Sequence, residues 1–170
     1  MLAIGDVILR AFNFVFLTVA LGLTGSLVAT TPFHQNPQVN FAVFAAAFGV
    51  LTSSIYGVFA YFISAFAWPV ILFLFDFLNF VFTFAGATAV ATAIRVHSCN
   101  NHEYLDNNKV TQGSSGRCRK AQASVAFLYF SAFIFIASGV FSAISLFRGG
   151  LFGHSSRPAP RTGVPTMSQV

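Results

Sequence analysis

Apolar residues fall along this chain in long blocks separated by short polar stretches. The first block runs from about Val7 to Ala29 and gives way to TTPFHQNPQVN, where Pro32 and Pro37 stop a helix. The second runs from about Asn40 to Ile63, and the third opens at Pro69, a favoured first-turn residue, and extends to about Ile94. A polar stretch over 95–120 precedes the fourth block, from about Ala121 to Phe147. Each block is near the roughly 20 residues that cross the hydrocarbon of a bilayer. The break between the second and third rests on Ser64 and Pro69; one unbroken span there would be too long for a single crossing, so a tight hairpin is expected. The predicted fold is all-α: an integral membrane four-helix bundle over residues 1–148, with an outer loop over 95–120 and a flexible tail over 149–170, rich in Gly, Ser and Pro. The first block is read as a retained helix, being long for a signal peptide and lacking a clean small-residue cleavage site before Pro32.

Composition strengthens this picture. Of 170 residues, 56% are hydrophobic and only 8% charged, against about a quarter charged in soluble domains. A chain this short could not hide so much apolar surface in a water-soluble core. Phenylalanine, at 23 copies, suits lipid contact because its ring carries no polar atom that needs a partner. The net charge of +5 does not indicate nucleic acid, because the basic residues lie between and beyond the apolar blocks. They are read as membrane-edge charges meeting anionic headgroups.

Charge bias barely orients the bundle. Four crossings put both termini on one face, with Arg10, Arg148, Arg157 and Arg161, and oppose it with Arg95, Lys109, Arg117, Arg119 and Lys120. The two cysteines, Cys99 and Cys118, flank one loop. On an oxidising side they would bridge and stabilise that loop by roughly 3 kcal/mol, which favours cytosolic termini. On the cytosolic side they would be juxtamembrane thiols open to acylation. Neither outer loop carries an N-glycosylation acceptor.

Polar residues inside the blocks are costly in hydrocarbon and face other helices or a cavity. These are Arg10 and Asn13, Ser53, Ser54 and Tyr56, Asp76 and Asn79, and Ser138 and Ser142. Asn13 lies about 9 Å, and Asp76 about 10 Å, from the start of its helix at 1.5 Å per residue. Tyr56 is as far from the end of the second block, so the three share a level near the terminal face. Arg10 with Asn13, and Asp76 with Asn79, are spaced i,i+3 and share helix faces. The expected arrangement has Asp76 accepting from Asn13 or from a snorkelling Arg10, with Tyr56 completing a polar layer. Such a layer either holds the bundle together or serves proton relay or headgroup recognition. Small residues at four-residue intervals (Gly22 and Ser26; Ala45, Gly49 and Ser53; Ala85, Ala89 and Ala93; Gly139 and Ala143) allow close backbone approach within the bundle, or between protomers.

Nothing in the sequence composes a catalytic site or a cofactor site. The histidines at 34, 97, 102 and 154 lie in loops or the tail without metal-ligand spacing, although His97 and His102 flank Cys99 and a zinc site with Cys118 is conceivable. Glu103 and Asp106 read as solvated loop carboxylates. Neither a transporter's discontinuous helices nor its repeated intramembrane charges are evident.

Five segments nonetheless carry a specific likeness: YGVFA (56–60), DFLNFVFTF (76–84), IRVHSCNN (94–101), NKVTQGSSGRCRKAQASVAFLYFS (108–131) and GVPTMSQV (163–170). Together they resemble the fungal non-classical export proteins, MARVEL-type tetraspans, and the likeness runs the length of the chain. It implies an M-shaped bundle with cytosolic termini, residence in the plasma membrane over eisosomes, and a non-enzymatic role in organising that compartment and responding to sphingolipid status. The alternative it carries is a transporter or factor in non-classical export. Implied partners are membrane lipids (a sphingolipid or sterol), cytosolic eisosome coat proteins and a second copy of the chain, with no nucleic acid. The matching positions are Asp76 and Asn79, Cys99 and Cys118, and the terminal Gly163–Val170. The tail before Gly163 is less basic than expected of relatives, with only Arg157 and Arg161. Ser155, Ser156, Thr162, Thr166 and Ser168 are phosphorylation candidates there, since added phosphate would oppose those arginines.

Overall fold

An acidic side chain, Asp6, occupies the first turn of a helix that opens at Ile4, where the helix dipole favours negative charge. The computed structural model describes residues 4–31, 36–57, 69–95 and 97–149. Over these it is all-helical. Helix α1 is Ile4–Ala29, α2 is Pro37–Gly49, α3 is Pro69–Ile94, α4 is a short loop helix at His102–Asn107, and α5 is Ser115–Gly149. A π-helical segment, Val50–Ile55, continues α2, which resumes as α-helix over residues 56–57. Four helices are long and apolar enough to cross a membrane.

The boundaries differ from the apolar blocks for local reasons. The first helix begins at Ile4, ahead of Val7. Pro37 opens the second helix instead of closing the first: Asn36 is extended and proline takes the first turn, where its missing N–H costs nothing. The last helix starts six residues before Ala121 because Ser114 supplies a start, its hydroxyl accepting from the Arg117 N–H at 3.4 Å and its carbonyl accepting from the Cys118 N–H at 3.1 Å. The expected extension of the second helix to Ile63, the hairpin at Ser64, and the tail beyond Gly149, which still belongs to the last helix, lie outside the described residues.

Each long helix packs mainly on two others, in the cyclic order α1, α2, α3, α5 and back to α1. Side-chain bonds give the directions: the start of α1 meets the far part of α5, and the end of α1 meets the start of α5, so these two run antiparallel. The interior is divided along its length. Towards the loop end it is apolar and small, built from Ala20, Leu27, Val39, Ala42, Ala46, Ala87, Val90, Ile94, Ala121 and Leu128. Towards the other end it is polar, with Asp6, Arg10, Asn13, Ser53, Asp76, Asn79, Ser138 and Ser142 all buried. Many of the large apolar side chains are outside: Phe12, Phe77, Phe130 and Phe133 are all more than half exposed, at 56%, 53%, 54% and 65%. A water-soluble bundle inverts this arrangement; here the solvent is lipid.

Glycine decides two of the close approaches. A Cβ at Gly86 would sit 3.4 Å from the Ala42 Cα and 3.4 Å from the Ala45 Cβ, so α2 and α3 pack backbone to backbone. A Cβ at Gly49 would lie 2.8 Å from Leu17 Cδ1 on α1. Gly22, by contrast, has nothing within 4 Å and faces outward. Gly86→Val is therefore expected to lower stability by about 1–3 kcal/mol through overpacking, with Gly22→Val close to neutral. Thermal unfolding of the two purified variants in one detergent measures the contrast.

Candidate functional site: a charged junction inside the bundle

The polar end is organised by one guanidinium. Arg10 lies one helical turn after Asp6, and its Nε donates to Asp6 Oδ2 at 2.9 Å. Its Nη2 donates across the bundle to Asp76 Oδ2 on α3 at 3.0 Å. From α5, Ser142 donates to the same Asp76 oxygen at 2.9 Å, and Ser138 donates to Asp6 Oδ1. The two serines are four residues apart and so share the inward face of α5. Asp6 and Asp76 are each 1% exposed and Arg10 8%. Space for the arginine is made by α2: a Cβ at Gly57 would lie 3.2 Å from Arg10 Cδ. Gly139 of α5 also faces Asp76, but a Cβ there would lie at an ordinary contact distance of 3.8 Å.

One turn deeper is an amide layer. Asn79 Nδ2 donates to Thr52 Oγ1 at 2.7 Å, while Thr52 donates to the Phe48 carbonyl at 2.7 Å. Thr52 lies in the π-helical segment, where the Tyr56 N–H reaches back to the Leu51 carbonyl. The wider turn re-aims this stretch of hydroxyls, and such insertions often mark functional positions. Most other intramembrane hydroxyls bond their own backbone, as Thr24 does to Ala20 and Thr83 to Asn79. Several buried oxygens have no hydrogen-bond partner among the described residues: Asp76 Oδ1, Asn79 Oδ1, Asn13 Oδ1, and the hydroxyls of Ser53, Ser54 and Ser131.

Of the residues named from the sequence, the structure brings Arg10, Asp76, Ser138 and Ser142 into direct contact, with Asn79 beside them. Asp76 accepts from Arg10 and not from Asn13. The Tyr56 ring packs edge-on against Phe75, with centroids 5.2 Å apart. Two partners were not anticipated, Asp6 and Thr52. Asp6 carried a readable signal, an acid four residues before a base on one helix face; starting the helix at Val7 left it out. The tail candidates Ser155, Ser156, Thr162, Thr166 and Ser168 lie outside the described residues.

The opposite end is closed by a stitched loop. Cys99 and Cys118 form a disulfide with Cα atoms 5.7 Å apart, which occupies both sulfurs and removes the zinc alternative. Asn101 caps α4, and Tyr104 in that helix donates its hydroxyl to the Ile94 carbonyl at the end of α3. Burial pushes the Tyr104 phenol above its ordinary value, so this donor persists across the physiological pH range. Asn108 Nδ2 donates to the Ala93 carbonyl at 2.9 Å. Arg117 fastens the loop to α1, donating to the Val110 carbonyl at 3.0 Å and to the hydroxyls of Thr30 and Thr31. Lys120 adds a bond to Ser26 at 2.8 Å. The end of α1 lacks a basic residue of its own; these two cations supply the complement to its dipole.

A bundle with lipid-facing phenyl rings, a disulfide-stitched loop between its last two spans and a charged junction at its other end defines a multi-pass tetraspan membrane protein. Residues 2–141 match the MARVEL family, the membrane-associating domain. The chain is 82% identical to "Non-classical export protein 102" of Candida albicans over the full length of both. It is 53% identical to "Non-classical export protein 2" of Saccharomyces cerevisiae, again over both full lengths. It is also 35% identical to the "Non-classical export protein 2 homolog" of Schizosaccharomyces pombe, over 77% of this chain and 72% of that one. The chain belongs to the non-classical export protein family, within the MARVEL group. No solved structure matches it.

Two outcomes follow. Arg10→Met leaves two buried carboxylates facing each other without their cation and is expected to cost about 3–5 kcal/mol, read as lost thermal stability in detergent. Cys99→Ser is expected to cost about 3 kcal/mol, with the loss matched by adding reductant to the unaltered chain.

Proposed function

We propose that this chain is a non-enzymatic organiser of a plasma-membrane domain, with both termini cytosolic, and that it responds to sphingolipid status at eisosome-associated sites. The observation that carries this reading is how the bundle interior is filled. Beyond the amide layer, towards the loop, Leu17, Ala20, Leu128 and Phe135 fill the interior, each 0–1% exposed. The buried hydroxyls of Thr24, Thr83 and Ser124 among them are bonded to their own helix backbones. An apolar plug of this kind opposes a polar route through the bundle, and a conducting pathway needs such a route. The functional surface is then the exterior, a belt of phenyl rings offered to lipid chains. The disulfide supports placing the loop on the oxidising side, hence the termini inside. From there the tail would meet cytosolic coat proteins, while sphingolipid or sterol meets the belt and a second copy of the chain is a further neighbour.

The relatives' name, "Non-classical export protein", favours a second reading in which the chain is a factor in export. Reconstitution separates the two. The purified chain in vesicles containing sphingolipid and sterol is expected to gather into lipid-enriched clusters, to retain sphingolipid over phosphatidylcholine in native mass spectrometry, and to pass no trapped solute or protein. Flux through the purified chain alone would overturn the organiser reading.

A further inference from the structure

The charged junction does not balance. Asp6 and Asp76 are both 1% exposed, and the one cation between them is Arg10. With both carboxylates ionised the group carries a net negative charge inside the membrane-spanning bundle, where an unpaired charge is strongly disfavoured. Among the described side chains, the facing elements do not supply the missing positive charge. Over its described residues α2 contributes no charged side chain, and it meets the arginine through Gly57. Towards the junction α3 brings Asp76 alone, with Asn79 one turn on, and α5 brings the hydroxyls of Ser138 and Ser142. Tyr56 of α2 lies against Phe75.

The hydrogen-bond pattern points to where the missing charge sits. Asp76 Oδ2 accepts twice, from Arg10 and from Ser142. Asp6 uses both oxygens, Oδ2 for Arg10 and Oδ1 for Ser138. Asp76 Oδ1 alone is fully enclosed without a partner among the described residues. A carboxylate oxygen so placed is a costly orphan; a hydroxyl formed on it is neutral and can donate.

We propose that the Asp6–Arg10–Asp76 junction is a proton-binding site that holds one proton, shared within the carboxylate pair and seated mainly on Asp76 Oδ1. Binding joins a proton to a carboxylate oxygen and brings the junction to neutrality. Releasing it restores a net negative charge between α1, α3 and α5, so the packing of these three helices is linked to proton occupancy.

Infrared spectroscopy of the full chain in lipid nanodiscs tests this. At neutral pH the unaltered chain is expected to show the carbonyl stretch of one protonated carboxyl per chain, shifting on exchange into heavy water. Asp76→Asn and Asp6→Asn are each expected to abolish the band, because one acid and one arginine already balance; circular dichroism verifies the fold of each. The loss in Asp6→Asn is the telling outcome, since an acid that is neutral merely because it is buried would keep its proton when its neighbour is replaced. Absence of the band from the unaltered chain at neutral pH, or its persistence in Asp6→Asn, would overturn the proposal. So would thermal stability that rises with sodium over choline at fixed pH and loses that rise in Asp76→Asn, which would place a metal cation on the same oxygen.

Discussion

A guanidinium buried among lipid-facing helices has to be answered by the protein itself, because hydrocarbon offers it nothing. Arg10 imposes this demand on the bundle. It takes one acid from its own helix and one from α3, and each of those acids then requires a donor, which α5 supplies as a pair of serines. Three helices are thereby fixed in rotation and depth. A one-residue slip of any of them would turn its polar side chain about 100° towards lipid. Apolar contacts in a membrane are poor at setting register, since a methyl group gains little by exchanging a lipid chain for a side chain. The charged junction supplies specificity that packing alone cannot.

Small residues and phenylalanines divide the remaining work. Alanines and glycines line the contact of α2 with α3 and let backbones touch, which raises the number of close atom pairs without any gain from dehydration. The rings that would fill the core of a soluble bundle are turned outward, where Phe41, Phe44 and Phe48 of α2 meet Phe82 of α3 along one edge. At the loop end, water competes for hydrogen bonds and the device changes. Covalent closure by Cys99–Cys118 is joined by Asn108 and Tyr104, both tied to the end of α3, and by Arg117, tied to the loop backbone and the end of α1.

The four spans were legible because a bilayer reads length and hydropathy almost directly. The third helix is the clearest case: a proline suited to a first turn opens it, and Arg95, at φ 48°, stands just beyond its end at Ile94. The contact of Arg10 with Asp76 was legible in outline from depth and i,i+3 spacing. Asp6 was harder, because at the edge of an apolar block it reads as an interfacial charge. Only the tertiary structure shows it turned inward to Ser138. The π-helical segment had no sequence signal at all. Thr52, Ser53 and Ser54 read as an ordinary polar patch, and the wider turn follows Gly49, set against Leu17, and carries Thr52, bonded to Asn79, both of them tertiary contacts. Pro37 shows the ambiguity of proline, which stops a helix in its interior and opens one at its first turn; here it opens α2.

The two fastened ends leave α2 in a distinct position. Its described part contributes no member to the charged junction, only the space at Gly57. Its side-chain bond to α3 passes through a threonine that is also bonded to its own backbone. It meets its neighbours chiefly through glycine and alanine and presents stacked phenyl rings to lipid. A helix held by close backbone contact is less fixed in register than one pinned by an ion pair, since sliding small residues breaks few directional bonds. The π turn of that helix sits where Thr52 meets Asn79, three residues from Asp76 on the same face of α3, so this directional bond of α2 to its neighbour lies beside the charged junction and not at the loop end.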